Sequence, residues 1–540
     1  MELKDVESCC CVVQVSGGFS AKKPISCSGV IVCPQTGSII CTGLPFSRFI
    51  ADREPLCSGA GVLFPRSFSS ELKIRVSSPA PAHPDFEPSW REKACTAPGS
   101  RSHRRERREV PAQLLMLVNC VEFKRAFLGV FKEADQWRFH GDDDGDDDDD
   151  DELLRDAQFL SWFAVLRADV FPDSRAASGT VPWQSSSTLH KGCPVVACGS
   201  AFGSLCLDLF ISTLSGGIIS NLAGEDNAVI LTDARCLPGT EGGGLFAVEG
   251  AEGVHLIGLI VSPFGWKANE WIGLTLVCSV HCIFRSIIRC TGDHNPLGDA
   301  WLRSGEADLH MCRTAQVSRA AEYPTVCLVD SGKVWGSGVV VTTKLVVTCR
   351  HVVDGRSLVT LKFHHRGRVR HMFGDVLFST KPSSPYDLAF VELKVPVPDA
   401  VVPRTSPSFP PGEAVVVVGY GGLGRTCGPS LTCGVLSKAI SLNQRPVMLQ
   451  TTCAVQAGAS GGAVLRRHSG ELLGIVSSNT RDLAARVTYP HLNFVIPVTV
   501  FQGLLQEFHR SRDIEVFRGL NATGPEIRRV WRLQGAQSKL

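Results

Sequence analysis

Gly458-Ala459-Ser460-Gly461-Gly462 sets one serine among glycines. A serine hydroxyl attacks a carbonyl only when a base removes its proton and backbone N–H groups receive the oxyanion. Flanking glycines let the chain turn tightly enough to aim those N–H groups inward, with no Cβ in the way of a substrate. Two other side chains complete that chemistry. His351, in Cys349-Arg350-His351-Val352-Val353, offers the base; Asp387, in Tyr386-Asp387-Leu388-Ala389-Phe390, offers the carboxylate that orients it. Taken singly, a histidine is more often a surface or core residue, and an aspartate before a strand is more often a turn residue. Their joint occurrence, in order and each in fitting local structure, predicts a catalytic triad with Ser460 as nucleophile.

The positioning elements are short strands. Val339-Val340-Val341 and Leu345-Val346-Val347-Thr348 read as a hairpin whose second arm ends at His351, and Asp387 stands at the mouth of the apolar run Leu388 to Leu393. The order His351, Asp387, Ser460 is that of the chymotrypsin barrel and differs from the subtilisin and α/β-hydrolase orders. The stretch before the serine loop, Thr451-Thr452-Cys453-Ala454-Val455, contains no acid, so a small neutral primary pocket is expected and a preference for Lys or Arg is not.

The N-terminal half reads as a worn copy of this plan. Ser28-Gly29-Val30-Ile31-Val32 parallels Ser337-Gly338-Val339-Val340-Val341, which puts Leu44 where His351 stands. Trp162 to Leu166 parallels Asp387 to Val391, and Gly192 to Gly199 parallels Gly412 to Gly419. Pro238-Gly239-Thr240-Glu241-Gly242-Gly243 parallels Ala457 to Gly462, with Glu241 at the nucleophile position. Four features in one order predict a duplication whose first copy has lost the chemistry. The expected fold is all-β: tandem chymotrypsin/trypsin-like double β-barrels with a degenerate N-terminal copy. The expected boundaries are 1–292 for that copy, with disordered insertions at about 78–112 and 140–152, then a linker at 293–318. A catalytic domain at 319–510 and a tail at 511–540 follow.

Composition bounds the alternatives. The 540 residues, 44% hydrophobic and 20% charged, describe a globular chain, and a net charge of +2 argues against general affinity for nucleic acid or acidic membranes. The basic run Arg101 to Arg108 is broken by Glu106 and reads as a solvated linker, and Asp142 to Asp151, broken only by Gly145, reads as a self-repelling loop. Many of the 22 cysteines lie inside apolar strands (Cys33, Cys41, Cys198, Cys453), where a thiol packs as a small hydrophobe. Met1-Glu2-Leu3-Lys4-Asp5 offers no apolar export signal, no apolar run is long enough to span a membrane, and neither cofactor nor metal is expected. Ser538-Lys539-Leu540 matches the tripeptide that peroxisomal import receptors read, so the peroxisome matrix is the expected location.

The triad motifs, the inactive first copy and the Ser-Lys-Leu tripeptide together resemble the peroxisomal leader-peptide-processing proteases, trypsin-like relatives of the plant glyoxysomal Deg-type processing protease. The resemblance extends over nearly the full chain, including Leu231 to Cys236 and Tyr489 to Phe494. It implies His351 as general base, Asp387 as its orienter, Ser460 as nucleophile, and the backbone N–H groups of Gly458 and Ser460 as oxyanion donors. It also implies removal of leaders from imported peroxisomal precursors, limited cleavage of enzymes of fatty-acid β-oxidation, and self-cleavage, expected at Cys95 in the 78–112 segment. Three departures stand out: Arg350 where an alanine usually precedes the histidine, Ala463 for the common proline, and too short a remainder after Pro497 for a PDZ domain. The rival readings are a Deg-type quality-control protease and a non-catalytic scaffold; the oligomeric state, a homo-oligomer included, is left open.

Overall fold

Valine, isoleucine and cysteine dominate the apolar runs, and β-branched side chains favour an extended, pleated backbone. A computed structural model describes residues 1–17, 24–52, 56, 61–79, 107–131, 137–138, 159–169, 180–203, 205, 207–249, 253–263, 266–267, 270–292, 297, 323–365, 368–482, 487–521, 524–531 and 537–538. Among them the runs close into four six-stranded antiparallel barrels. The first barrel uses Cys10–Ser16, Ile25–Cys33, Ser38–Thr42, Lys73–Pro79, Arg107–Asn119 and Trp162–Ala168. The second runs from Pro194–Gly199 to Thr275–Ser279, the third from Val326–Asp330 to Ala389–Leu393, and the fourth from Ala414–Gly419 to Val487–Pro497. With strands counted along the chain, neighbours around every barrel run one-two-three-six-five-four. One Greek-key order repeated four times is the signature of a duplicated double barrel. The fold is all-β and trypsin-like, as expected.

Two expected boundaries need correction. The 78–112 segment is not an insertion throughout: Lys73–Pro79 pairs with Arg107–Asn119, with Ile74 opposite Ala112 and Ser77 opposite Glu109. Across a register shift between Leu114 and Met116, Leu114 and Leu117 pack into the core of the first barrel while Met116 and Val118 pack into the neighbouring core, so both faces of that strand are buried and the arginine-rich run before it hid this in the sequence. Residues 80–106, with Cys95, lie outside the described residues, as do 139–158, 298–322, Lys539 and Leu540. The tail is the second correction. The sequence suggests a short helix over Phe501 to Ser511; the helix spans Gln502–Ser511, and after it a 3-10 segment Ile514–Asn521 and a helix Pro525–Trp531 continue packing on the C-terminal copy. Phe517 stacks on Phe390 with ring centroids 4.1 Å apart, and the Trp531 indole donates to the Val447 carbonyl at 3.1 Å. Those anchors sit singly in a charged sequence, so no periodic pattern announced them. Ser538 lies in a two-residue strand, Gln537–Ser538, paired with Asn479.

The two copies interlock. Ile218 of the N-terminal copy belongs to the C-terminal core, and Leu423 of the C-terminal copy belongs to the N-terminal core. Polar groups join the seam: Lys191 Nζ donates to the Pro429 carbonyl at 2.6 Å and Asn221 Nδ2 to Ser430 Oγ at 2.9 Å. Buried Asp233 accepts the Ile218 N–H at 2.7 Å and, across the seam, the Cys433 N–H at 2.5 Å. Burial raises its carboxyl above the usual aspartate range, opposed by these two bonds. Asp233→Ala orphans both N–H groups and should cost about 3 kcal/mol in chemical denaturation, while Asp233→Asn, which keeps an acceptor, should cost less. Equal losses in the two variants would remove the hydrogen bonds from this account.

Candidate active site

His351 follows the strand Leu345–Thr348 at the start of a single helical turn, Arg350–Val353, whose Val352 and Val353 are buried. Those valines pack into the core of the third barrel. Its Nδ1 lies 2.6 Å from Asp387 Oδ2, and its own backbone N–H donates to Asp387 Oδ1 at 3.1 Å. The carboxylate thus holds both ends of the residue. With Nδ1–H directed at Asp387, Nε2 carries the lone pair. Asp387 is itself clamped by Thr380, whose hydroxyl donates to the Tyr386 carbonyl at 2.8 Å and accepts the Leu388 N–H at 3.2 Å. Arg350, the residue that departs from the family pattern, donates to the Lys381 carbonyl at 2.7 Å and brings Nε to 3.7 Å from Asp387 Oδ1. Its guanidinium thus lies beside the carboxylate that holds His351.

Ser460 is fully buried, and its hydroxyl donates to the Ser477 carbonyl at 3.2 Å. The loop is held by a residue that motif reading passed over. Ser337 donates its N–H to the Ser460 carbonyl and its hydroxyl to the Gly458 carbonyl, both at 2.7 Å, and that hydroxyl accepts the Tyr420 N–H at 2.8 Å. Gly458 and Gly461 have φ of +92° and +86°, and a Cβ at Gly461 would lie 2.0 Å from the Ser337 carbonyl oxygen. Only glycine fits there. The N–H groups of Gly458 and Ser460 have no acceptor among the described residues, the condition of donors set for an oxyanion. Below the loop, Ala454 and Val455 are buried and apolar, in line with a small neutral pocket. Gln456 ties this region to the other copy, donating to the Ile272 carbonyl at 2.7 Å and accepting the Gly422 N–H at 3.2 Å. Cys349 Sγ comes within 4.8 Å of the His351 and Asp387 ligand atoms, but it is buried and donates to the Val476 carbonyl, so it packs beneath the pair.

The N-terminal copy repeats the frame bond for bond. Ser28 donates its N–H to the Glu241 carbonyl and its hydroxyl to the Gly239 carbonyl, both at 2.8 Å, and accepts the Ser200 N–H at 2.8 Å. Gly242 donates to Ile260 as Gly461 does to Val476, and Gly239 and Gly242 have φ of +96° and +84°. The serine shared by Ser28-Gly29 and Ser337-Gly338 was the signal in the sequence for this strut. What differs is the chemistry: Leu44 and Trp162 stand at the base and acid positions, and Glu241 accepts the Gly239 N–H on its own Oε2 at 2.7 Å. Burial pushes the Glu241 carboxyl from an ordinary 4.5 up to about 7, with the backbone N–H groups of Glu241 and Gly239 opposing. The folded chain holds that proton where the unfolded chain has released it, so raising pH from 4.5 toward 7 favours unfolding. Glu241→Gln removes the slope and should gain stability over the parent between about pH 5 and about pH 8, read from urea midpoints. Parallel pH profiles for the two proteins would contradict this.

Comparisons with known proteins agree with the geometry. A family profile, Trypsin-like peptidase domain, matches residues 336–475, which contain His351, Asp387 and Ser460. The peroxisomal leader peptide-processing protease of Homo sapiens is 38% identical over 555 aligned positions, covering 98% of this chain and 97% of that protein. The chain belongs to the peroxisomal leader peptide-processing proteases. The Mus musculus member is also 38% identical, over 100% of this chain and 98% of its own. As a member of that family with a trypsin-like peptidase domain, the chain is a serine endopeptidase. Among solved structures, the Rv3671c protein of M. tuberculosis in an inactive form overlaps 35% of this chain and 89% of its own, at 23% identity and a TM-score of 0.28. The HtrA-type protease AlgW with a tripeptide overlaps 36% and 63%, at 20% identity and 0.29. The strand order, and not these overlaps, carries the fold.

Proposed function

We propose that the chain removes N-terminal leaders from imported peroxisomal enzymes in the matrix, with Ser460 as nucleophile, His351 as general base and Asp387 as its orienter. The observation that carries this reading is the 2.6 Å contact from His351 Nδ1 to Asp387 Oδ2, together with a glycine loop whose Gly458 and Ser460 N–H groups have no acceptor among the described residues. In the resting state the Ser460 proton rests on the Ser477 carbonyl, so the hydroxyl must turn to His351 Nε2 before attack. As the Oγ–C bond forms, the proton passes to Nε2 and the carbonyl oxygen becomes an oxyanion held by the Gly458 and Ser460 N–H groups. Collapse expels the amine with that proton, and water then frees the acyl group by the same route.

The names of the full-length relatives support the leader-processing role and the peroxisome, with Ser538-Lys539-Leu540 as the address an import receptor would read. Fatty-acid β-oxidation enzymes as further substrates, and self-cleavage near Cys95, belong to the same reading. Mapping new N-termini in peroxisomal extracts given the parent or Ser460→Ala protein tests it. Discrete new N-termini near precursor starts, from the parent alone, are expected. Complete degradation would favour matrix quality control, and identical maps would favour a scaffold.

A further inference from the structure

The strand that touches the nucleophile also carries a piece of the tail. Strand Leu472–Asp482 pairs along one edge with Val487–Pro497, as in Ile475 opposite Ile496 and Asn479 opposite Asn493. Its other edge meets three neighbours in turn. Ile475 faces Ala463, the first residue of the strand Ala463–Arg466 that follows the nucleophile loop. Next comes the loop itself: the Val476 carbonyl accepts the Gly461 N–H at 2.8 Å, and the Ser477 carbonyl accepts the Ser460 hydroxyl at 3.2 Å. Beyond it, Asn479 and Thr480 pair antiparallel with Ser538 and Gln537.

A peptide cut at Ser460 brings its scissile carbonyl to that hydroxyl, beside Ser477. The residues before the carbonyl then meet the stretch from Ser477 to Thr480, which Ala463–Arg466 leaves uncovered, and an extended peptide adds to such an edge through its main chain. The tail fills the far end of this stretch in the matching direction. Numbers rise from Gln537 to Ser538 as they fall from Thr480 to Asn479, so the segment runs toward Ser477 with its carboxyl side leading. The acyl part of a substrate runs the same way. The segment is also held close by its anchor. Trp531 is buried and donates to the Val447 carbonyl at 3.1 Å, and five residues lie between Trp531 and Gln537. So short a tether gives the segment an effective concentration of roughly a millimolar at that edge, which lets two weakly paired residues compete.

We infer that Gln537–Ser538 is a tethered competitor of the substrate. The edge from Ser477 to Thr480 is the track for the main chain before the cut, and the tail leaves it when a precursor enters. This role rests on Ser460 as the nucleophile. An import receptor reading Ser538-Lys539-Leu540 would draw on the same residues, so receptor and track hold the tail in alternation.

The test compares three chains: the parent, one lacking residues 537–540, and the double variant Gln537→Pro/Ser538→Pro, which keeps the length but removes both N–H groups. For binding, each also carries Ser460→Ala, and the probe is the peptide Gly-Ala-Gln-Ser-Lys-Leu with N-terminal fluorescein. Fluorescence anisotropy should show both altered chains holding the probe at least about fivefold tighter than the chain with its own tail in place. With Ser460 intact, KM for a leader-bearing precursor should fall by a similar factor in both altered chains while kcat stays, the signature of a lost competitor and not of a changed fold. Should one altered chain depart from the parent in circular dichroism, the other decides. Equal probe binding by all three chains, no binding by any, or an unchanged KM would overturn the inference. Fluorophosphonate labelling of the parent reports on the nucleophile separately: no labelling, with the difference in probe binding intact, would reject Ser460 and keep the tail on its edge.

Discussion

Ser460→Ala should lower kcat on a leader-bearing precursor by about a millionfold while leaving the fold and substrate binding in place. The loop is held by backbone groups and by Ser337, not by the Ser460 side chain: the Ser460 carbonyl takes the Ser337 N–H, and the Gly458 carbonyl takes the Ser337 hydroxyl. Removing Oγ costs one hydrogen bond, to the Ser477 carbonyl, and the frame persists. The variant should match the parent in circular dichroism and in thermal midpoint, with residual cleavage near the uncatalysed level plus what the oxyanion donors supply. Residual kcat within tenfold of the parent would remove Ser460 from the chemistry.

Asp387→Asn should lower kcat by about ten thousandfold with little change in stability. The amide can still accept the His351 backbone N–H, so the turn Arg350–Val353 should hold. What changes is the tautomer. An NH₂ facing Nδ1 forces the imidazole to carry its proton on Nε2, where it cannot receive one from Ser460. Arg350, brought to 3.7 Å from this carboxylate, would then face a neutral partner. A loss confined to KM, with kcat unchanged, would mean that Asp387 positions substrate and not the histidine.

Much of the site was legible because its chemistry and its scaffolding coincide in the sequence. Ser460 needs glycines on both sides, and the φ of +92° at Gly458 and +86° at Gly461 explain why they stand there. His351 and Asp387 were placed by the apolar strands they terminate, and the worn copy by four such landmarks in order. Other features had no sequence signal of that kind. Gln456 acts across the seam, and a lone glutamine says nothing of a partner as distant as Ile272. Thr380 and Arg350 act on Asp387 through side-chain geometry that only the folded chain defines. The mistaken boundaries share one cause. Long-range partners put residues 107–112, 514–521 and 525–531 into packed structure, whereas local composition, charged in these stretches, argued for solvent.

The pairing of Lys73–Pro79 with Arg107–Asn119 bears on what a break in the chain could do. Both strands belong to one closed barrel, so hydrolysis anywhere from residue 80 to residue 106 would separate them covalently while leaving every cross-strand bond in place. A nicked molecule should elute as a single species from a sizing column and divide into two bands only under denaturant. Maturation by such a cut would resemble a zymogen's, with two polypeptides sharing a single hydrophobic interior.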